Sequence, residues 1–194
     1  MNRTQHMVRI ALFTTLTAIG AYVALPLPFT PVPFTLQLLF TLLSGLVLGS
    51  KAGALSQIIY VCLGVLGVPV FAGGNAGPGV LVGPTGGYLV GFVVAAYVTG
   101  YLNAGLKQRG WLPVWKGIVV GGVGLGIIHG LGAWWLAFAL QIDLRKALAL
   151  GCLPYIIPDV MKCAGALMVA EALPSTVLHR DSARQDISSP RGAN

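Results

Sequence analysis

Between Arg9 and Lys107 this chain carries one formal charge, Lys51. A water-soluble domain has about 25% charged residues. Here the whole 194-residue chain is 9% charged and 56% hydrophobic. The chain is therefore predicted to be an all-α integral membrane protein with almost all of its length embedded in lipid. Six apolar segments can be drawn: Val8 to Leu25, Thr35 to Leu48, Ala52 to Val68, Thr85 to Leu106, Trp115 to Leu140 and Leu148 to Leu173. The second and third are short for a bilayer crossing of about 20 residues. One membrane domain is expected over residues 1–175, with a polar, disordered cytoplasmic tail over 176–194. The first apolar run leads into more apolar chain without a small-residue cleavage site before Pro26, so no cleavable leader is expected.

The positive charges orient this bundle. With the N-terminus in the cytoplasm, Arg3, Arg9, Lys51, Lys107, Arg109, Lys116, Arg180, Arg184 and Arg191 are all inside, Arg145 and Lys146 are outside, and Lys162 is within the membrane. That split is nine, two and one of the twelve Lys and Arg residues. The positive-inside rule then predicts an N-in, C-in arrangement. It also accounts for the net charge of +7 without nucleic acid, because the basic residues flank apolar spans and form no stripe with aromatics. Cys62, Cys152 and Cys163 lie in apolar stretches with no CxxC, and are expected to be free, buried thiols. No metal site is predicted, and no cofactor.

Two connectors fall on the outer face in this topology. Pro26-Leu-Pro-Phe-Thr-Pro-Val-Pro-Phe34 is expected to be extended, since proline fixes φ. Pro69 to Pro84 is uncharged, glycine-rich and partly apolar. A solvated loop would be more polar, so this one is expected to lie as a lid across the bundle mouth.

Beneath that lid the sixth segment carries Asp159 and Lys162 in an otherwise apolar run, Leu153 to Ala170. Each ionised group at the centre of a membrane helix costs about 2.5–3.5 kcal/mol on insertion scales. The i, i+3 spacing puts both on one helix face, where they form either a ligand site or a self-neutralising structural pair. Pro158 and Pro154 free backbone groups nearby. Asn75, in the lid, offers an amide to a ligand or serves as a turn residue tolerating a left-handed backbone. Thr85-Gly-Gly-Tyr88 opens the fourth helix, and either presents N–H groups to a ligand or caps the helix with Thr85. Gln37 and Gln57 either line a cavity or join helices, and Gln37 lies nearer the outer mouth. Gly122, Gly126 and Gly130 form a small face suited to close helix approach. His129 is expected to be a packing or hydrogen-bonded residue. The small pairs Ala11/Thr15 and Thr14/Ala18 on the first helix either dock a partner or pack internally.

The chain lacks a P-loop, the run Gly45 to Lys51 having the wrong spacing. It also lacks H-E-x-x-H and G-x-S-x-G, and has no ladder of carboxylates for proton coupling. An intramembrane enzyme using Asp159 as acid or base would need a second catalytic group at the same depth, and Lys162 is the only ionisable candidate identified there.

The runs Pro33-Phe-Thr-Leu-Gln37, Leu46-Val-Leu-Gly49, Gly67-Val-Pro-Val-Phe-Ala-Gly-Gly74, Gly83-Pro-Thr-Gly-Gly-Tyr-Leu89 and Pro158-Asp-Val-Met-Lys162 resemble the biotin transporter BioY family, in order, over residues 8–173. These are substrate-binding S-components of energy-coupling-factor (ECF) transporters. The resemblance implies a six-helix S-component bundle in a bacterial inner membrane, with biotin as ligand. It implies as partners a transmembrane coupling protein and two cytoplasmic ATPases, with docking through Ala11 and Thr15. Asp159 would accept from the ureido N–H groups, and Lys162 would bind the ureido carbonyl or the carboxylate. Asn75, Gln37 and Thr85 would add polar contacts. Val70, Phe71 and Tyr88 would cover the apolar part beside Gly73 and Gly74. A solitary facilitator and an S-component for another vitamin are the alternatives.

Overall fold

The structure is a computed structural model that describes residues 3–173. The tail expected over 176–194, with Arg180, Arg184 and Arg191, lies outside the described residues. The chain forms helices α1 (Arg3–Tyr22), α2 (Gln37–Leu48), α3 (Ser50–Val65), a short α4 (Gly79–Val82), α5 (Gly86–Gln108), α6 (Pro113–Leu140), α7 (Leu144–Gly151) and α8 (Ile156–Ala172). Strand pairing among the described residues is limited to two isolated bridges, Leu25 with Phe34 and Phe71 with Asn75. Leu12, Ile19, Val90, Val94, Val123 and Val160 are among the exposed large apolar side chains. Such a surface is rare on soluble monomers and fits a lipid-facing belt.

Among the described residues, three stretches are long and apolar enough to cross a membrane: Gly86–Gln108, Pro113–Leu140 and Leu144–Ala172. The last is not one straight helix. It breaks at Cys152 and a 3₁₀ turn over Leu153–Tyr155, where Pro154 cannot supply an interior helix donor. Pro158, by contrast, sits in the first turn of α8, where a missing N–H disrupts nothing. The 12 residues of α2 and the 16 of α3 rise about 18 and 24 Å at 1.5 Å per residue. Both fall short of a hydrocarbon core of about 30 Å.

Helices α2 and α3 are joined by Gly49 alone. Its φ of 84° is open to glycine and strained for other residues. The pair packs tightly on α5: a Cβ at Gly45 would overlap the Ala96 carbonyl oxygen, and one at Gly100 would lie 2.5 Å from the Ser50 nitrogen. The predicted contact face at Gly122, Gly126 and Gly130 is not used this way, since a Cβ at any of the three meets nothing within 4 Å. The glycines of α6 that do receive neighbours lie on another face, with Leu42 and Thr99 at Gly124 and Tyr88 at Gly132.

A buried polar hub ties α1, α2 and α3 together. Gln57 Nε2 donates to Thr17 Oγ1 at 3.1 Å and Ser44 Oγ at 3.3 Å, and Thr41 Oγ1 donates to Gln57 Oε1 at 3.2 Å. Thr14 Oγ1 adds a bond to the Ser56 carbonyl at 2.9 Å. Gln57 is thus a helix-joining residue, and Thr14 packs internally. Lys116, expected at the cytoplasmic flank, is buried in α6 and paired with Glu171 of α8. All three cysteines are free, but Cys62 is exposed rather than buried.

Replacing Gln57 by Leu leaves the buried Thr41 hydroxyl without its acceptor and takes a donor from Thr17 and Ser44, whose hydroxyls keep their bonds to backbone carbonyls. The expected loss is about 1–3 kcal/mol, seen as a lower melting temperature of the purified protein in detergent. Ile58→Val, at an exposed position of the same helix, is expected to leave that temperature nearly unchanged.

Candidate functional site

The cluster around Asp159 lies at the N-terminal end of α8, where the helix dipole favours a carboxylate. Lys162 Nζ donates to Asp159 Oδ1 at 2.6 Å, and His129 Nε2 lies 2.9 Å from Asp159 Oδ2. Asp159 is only 4% exposed and Lys162 8%. The i, i+3 geometry read from the sequence is therefore realised. What spacing could not supply is His129, which arrives from α6 and engages the second oxygen. His129 is a hydrogen-bonded residue as expected, but its partner is the site's carboxylate, 30 positions away. Its one signal in the sequence is an ionisable side chain inside an apolar span.

The proline-rich connector places the next contact. Leu25 and Phe34 exchange backbone bonds of 2.8 and 3.0 Å, so residues 25–34 fold back on themselves instead of running extended as predicted. This loop holds Phe34 with its ring centroid 3.6 Å from Lys162 Nζ, a desolvated cation–π contact. The Tyr155 hydroxyl donates to the Val32 carbonyl, pinning the loop to the turn before α8.

Together these elements enclose a cavity of about 600 Å³, within the ~300–1,000 Å³ range of small-molecule sites. Asp159, Lys162 and His129 form part of its wall, as do Gln37, Phe71, Gly73, Asn75, Thr85 and Tyr88. Gly74 and Val70 are not on the wall. Gly74 sits beside Tyr22, where an added Cβ would lie 3.7 Å from the Tyr22 ring, and Val70 packs against the core. Ala11 and Thr15 are exposed on α1, away from the cavity.

The segment expected as a lid folds over this cavity as a 3₁₀ turn, Ala72–Gly74, followed by α4. Positive φ values at Gly73, Gly74 and Gly77 allow its tight course. Asn75 is extended, with φ of −68°, so it does not serve as a left-handed turn residue. Its Nδ2 donates to the Ala72 carbonyl at 2.7 Å, which leaves the amide a second N–H and a carbonyl oxygen. Thr85 precedes α5 but makes no side-chain cap bond. The Tyr88 ring fits against Gly132 and its hydroxyl against Gly151, where it donates to the Gly151 carbonyl at 2.8 Å.

Residues 1–179 match the sequence profile of the BioY family. The chain belongs to the BioY family. It is 41% identical to the biotin transporter BioY of Thermotoga maritima over 176 residues, covering 91% of this chain and 99% of that relative. It is 42% identical to the probable biotin transporter BioY of Pyrococcus horikoshii over 164 residues, covering 84% and 93%. Among solved structures, the S-component for biotin from an ECF-type ABC transporter aligns with a TM-score of 0.83 at 26% identity, over 92% of this chain and 100% of that one. BioY proteins are transport subunits, so the catalytic reading of Asp159 falls. His129 does supply a second ionisable group at the same depth, but it and Lys162 occupy both carboxylate oxygens.

Removing one partner of a buried pair costs about 3–5 kcal/mol, whereas replacing the whole pair is often near neutral. Lys162→Met is therefore expected to lower the detergent melting temperature sharply. Asp159→Asn together with Lys162→Met is expected to restore most of it. A double variant as unstable as the sum of its singles would contradict this account of the cluster.

Proposed function

We propose that this BioY chain is the high-affinity biotin-binding membrane subunit of an ECF-type importer. The observation that carries this reading is the buried Lys162–Asp159–His129 cluster on the wall of a small-molecule-sized cavity beneath an uncharged lid. Biotin presents two ureido N–H donors, one ureido carbonyl, an apolar ring and chain, and a carboxylate. Asp159 retains lone pairs for the N–H groups, because a carboxylate accepts about four hydrogen bonds. Lys162 retains donors for a carbonyl or carboxylate. Asn75, Gln37 and Thr85 supply further polar groups, while Phe71 and Tyr88 cover the apolar part beside Gly73.

In this reading the bundle crosses a bacterial inner membrane six times, through α1, α2, α3, α5, α6 and the α7–α8 unit. Both termini are cytoplasmic, which the distribution of basic residues supports. Residues 1–175 form the membrane domain and 176–194 a cytoplasmic tail. Ligand enters from outside, the segment from Pro69 to Pro84 closes over it, and the whole bundle reorients under the action of a transmembrane coupling protein and two ATPases. The exposed Ala11 and Thr15 of α1 form the docking face.

The purified protein in detergent is expected to bind biotin tightly. Asp159→Asn and Lys162→Met are each expected to weaken binding at least ten-fold, as measured by titration calorimetry. A folded wild-type protein without affinity for biotin would overturn the assignment. In proteoliposomes, uptake is expected to require the coupling protein, the ATPases and ATP. Equal uptake without them would favour a solitary facilitator.

A further inference from the structure

Tyr60 stands behind the cavity wall and touches two parts of it. Its side chain, on α3, is fully buried and does not line the cavity. Its hydroxyl accepts from Gln37 Nε2 at 2.6 Å and donates to the Val70 carbonyl at 3.0 Å. Its ring meets Phe71 edge-on, with centroids 5.7 Å apart and planes at 84°. Gln37 and Phe71 both line the cavity, one at the start of α2 and the other in the lid.

The amide of Gln37 is oriented at its other end too, since Thr35 Oγ1 donates to Gln37 Oε1 at 3.0 Å. A chain of hydrogen bonds thus runs from Thr35 through Gln37 and Tyr60 to the lid's root. Gln37 keeps one N–H and one lone pair beyond this chain. The lid's root is also held by Tyr22, whose hydroxyl donates to the Pro69 carbonyl, and its middle by the Gly77 N–H, which donates to the Gly64 carbonyl of α3 at 2.7 Å. Glycine at 64 leaves the space Phe71 fills, because a Cβ there would overlap the Phe71 ring.

We propose that Tyr60 is a positioning residue that registers the lid's root to the Gln37 wall, and so sets how long a bound ligand stays in the cavity. The proposal rests on the biotin-binding reading for its ligand, but not for its effect on the lid. Tyr60→Phe keeps the ring against Phe71 and removes only the hydroxyl. It leaves the Val70 carbonyl and a Gln37 N–H without this partner, beside a cavity that Gln37 lines and water can enter. Because the change acts on closure, it belongs in the dissociation rate and not in association.

Stopped-flow release of biotin from the purified protein tests this. Tyr60→Phe is expected to release biotin about ten- to a hundred-fold faster, with the association rate within about two-fold of wild type and the melting temperature nearly kept. Gln37→Leu interrupts the same chain. The double variant should therefore release ligand no faster than about three-fold beyond the faster single. An unchanged release rate, or a double-variant effect equal to the product of the singles, would overturn the proposal. Hydrogen exchange without ligand gives a separate readout at Phe71 and Gly74, whose N–H groups are bonded within the lid, and at Gly77, whose N–H is bonded to α3. Tyr60→Phe should speed exchange there and leave α5 unchanged. Unaltered exchange at those amides would overturn the role of Tyr60, whereas failure of wild type to bind biotin with faster exchange in the variant would overturn only the identity of the ligand.

Discussion

The carboxylate of Asp159 is shared, one oxygen taken by Lys162 and the other near His129, and this arrangement governs what surrounds it. A charge removed from water must find partners within hydrogen-bond reach. Those partners come from α6 and α8, and Phe34 adds a ring over the ammonium. Three separate parts of the chain therefore have to converge on one point. The remaining lone pairs and donors of the cluster face a cavity rather than lipid, which is the condition under which intramembrane charges persist.

Helix length determines where that cavity lies. Helices α2 and α3 are too short to fill the depth of a bilayer, so one end of the bundle has room. The folded proline-rich loop and the glycine-rich lid occupy that room and roof the site. The rest of the bundle is close-packed through Gly45, Gly49 and Gly100 and pinned by Gln57.

The helical fold and the charge pair are legible in the sequence because they are local properties. Apolar runs mark helices, and i, i+3 spacing marks a shared face. The apolar pattern does not resolve the break at Pro154, because proline in the first turn of a helix and proline between helices look alike in sequence. Long-range contacts are less legible. Nothing in the spacing of Gly122, Gly126 and Gly130 indicates that they face away from neighbours while Gly124 and Gly132 face inward. The partnership of His129 with Asp159, the burial of Lys116 against Glu171 and the fold-back at Phe34 depend on how the helices assemble. The wall residues Gln37, Phe71, Asn75, Thr85 and Tyr88 can be nominated because polar, aromatic and glycine-rich features cluster near one end. Gly74 qualifies on the same grounds but packs beside Tyr22.

A structure of the protein with biotin bound tests the central claim most directly. The account expects the ligand inside the cavity under the lid, with a polar group of biotin within about 3.2 Å of Asp159 or Lys162. Biotin bound elsewhere on the bundle, or bound in this cavity with the Asp159–Lys162–His129 cluster making no contact to it, would contradict the account.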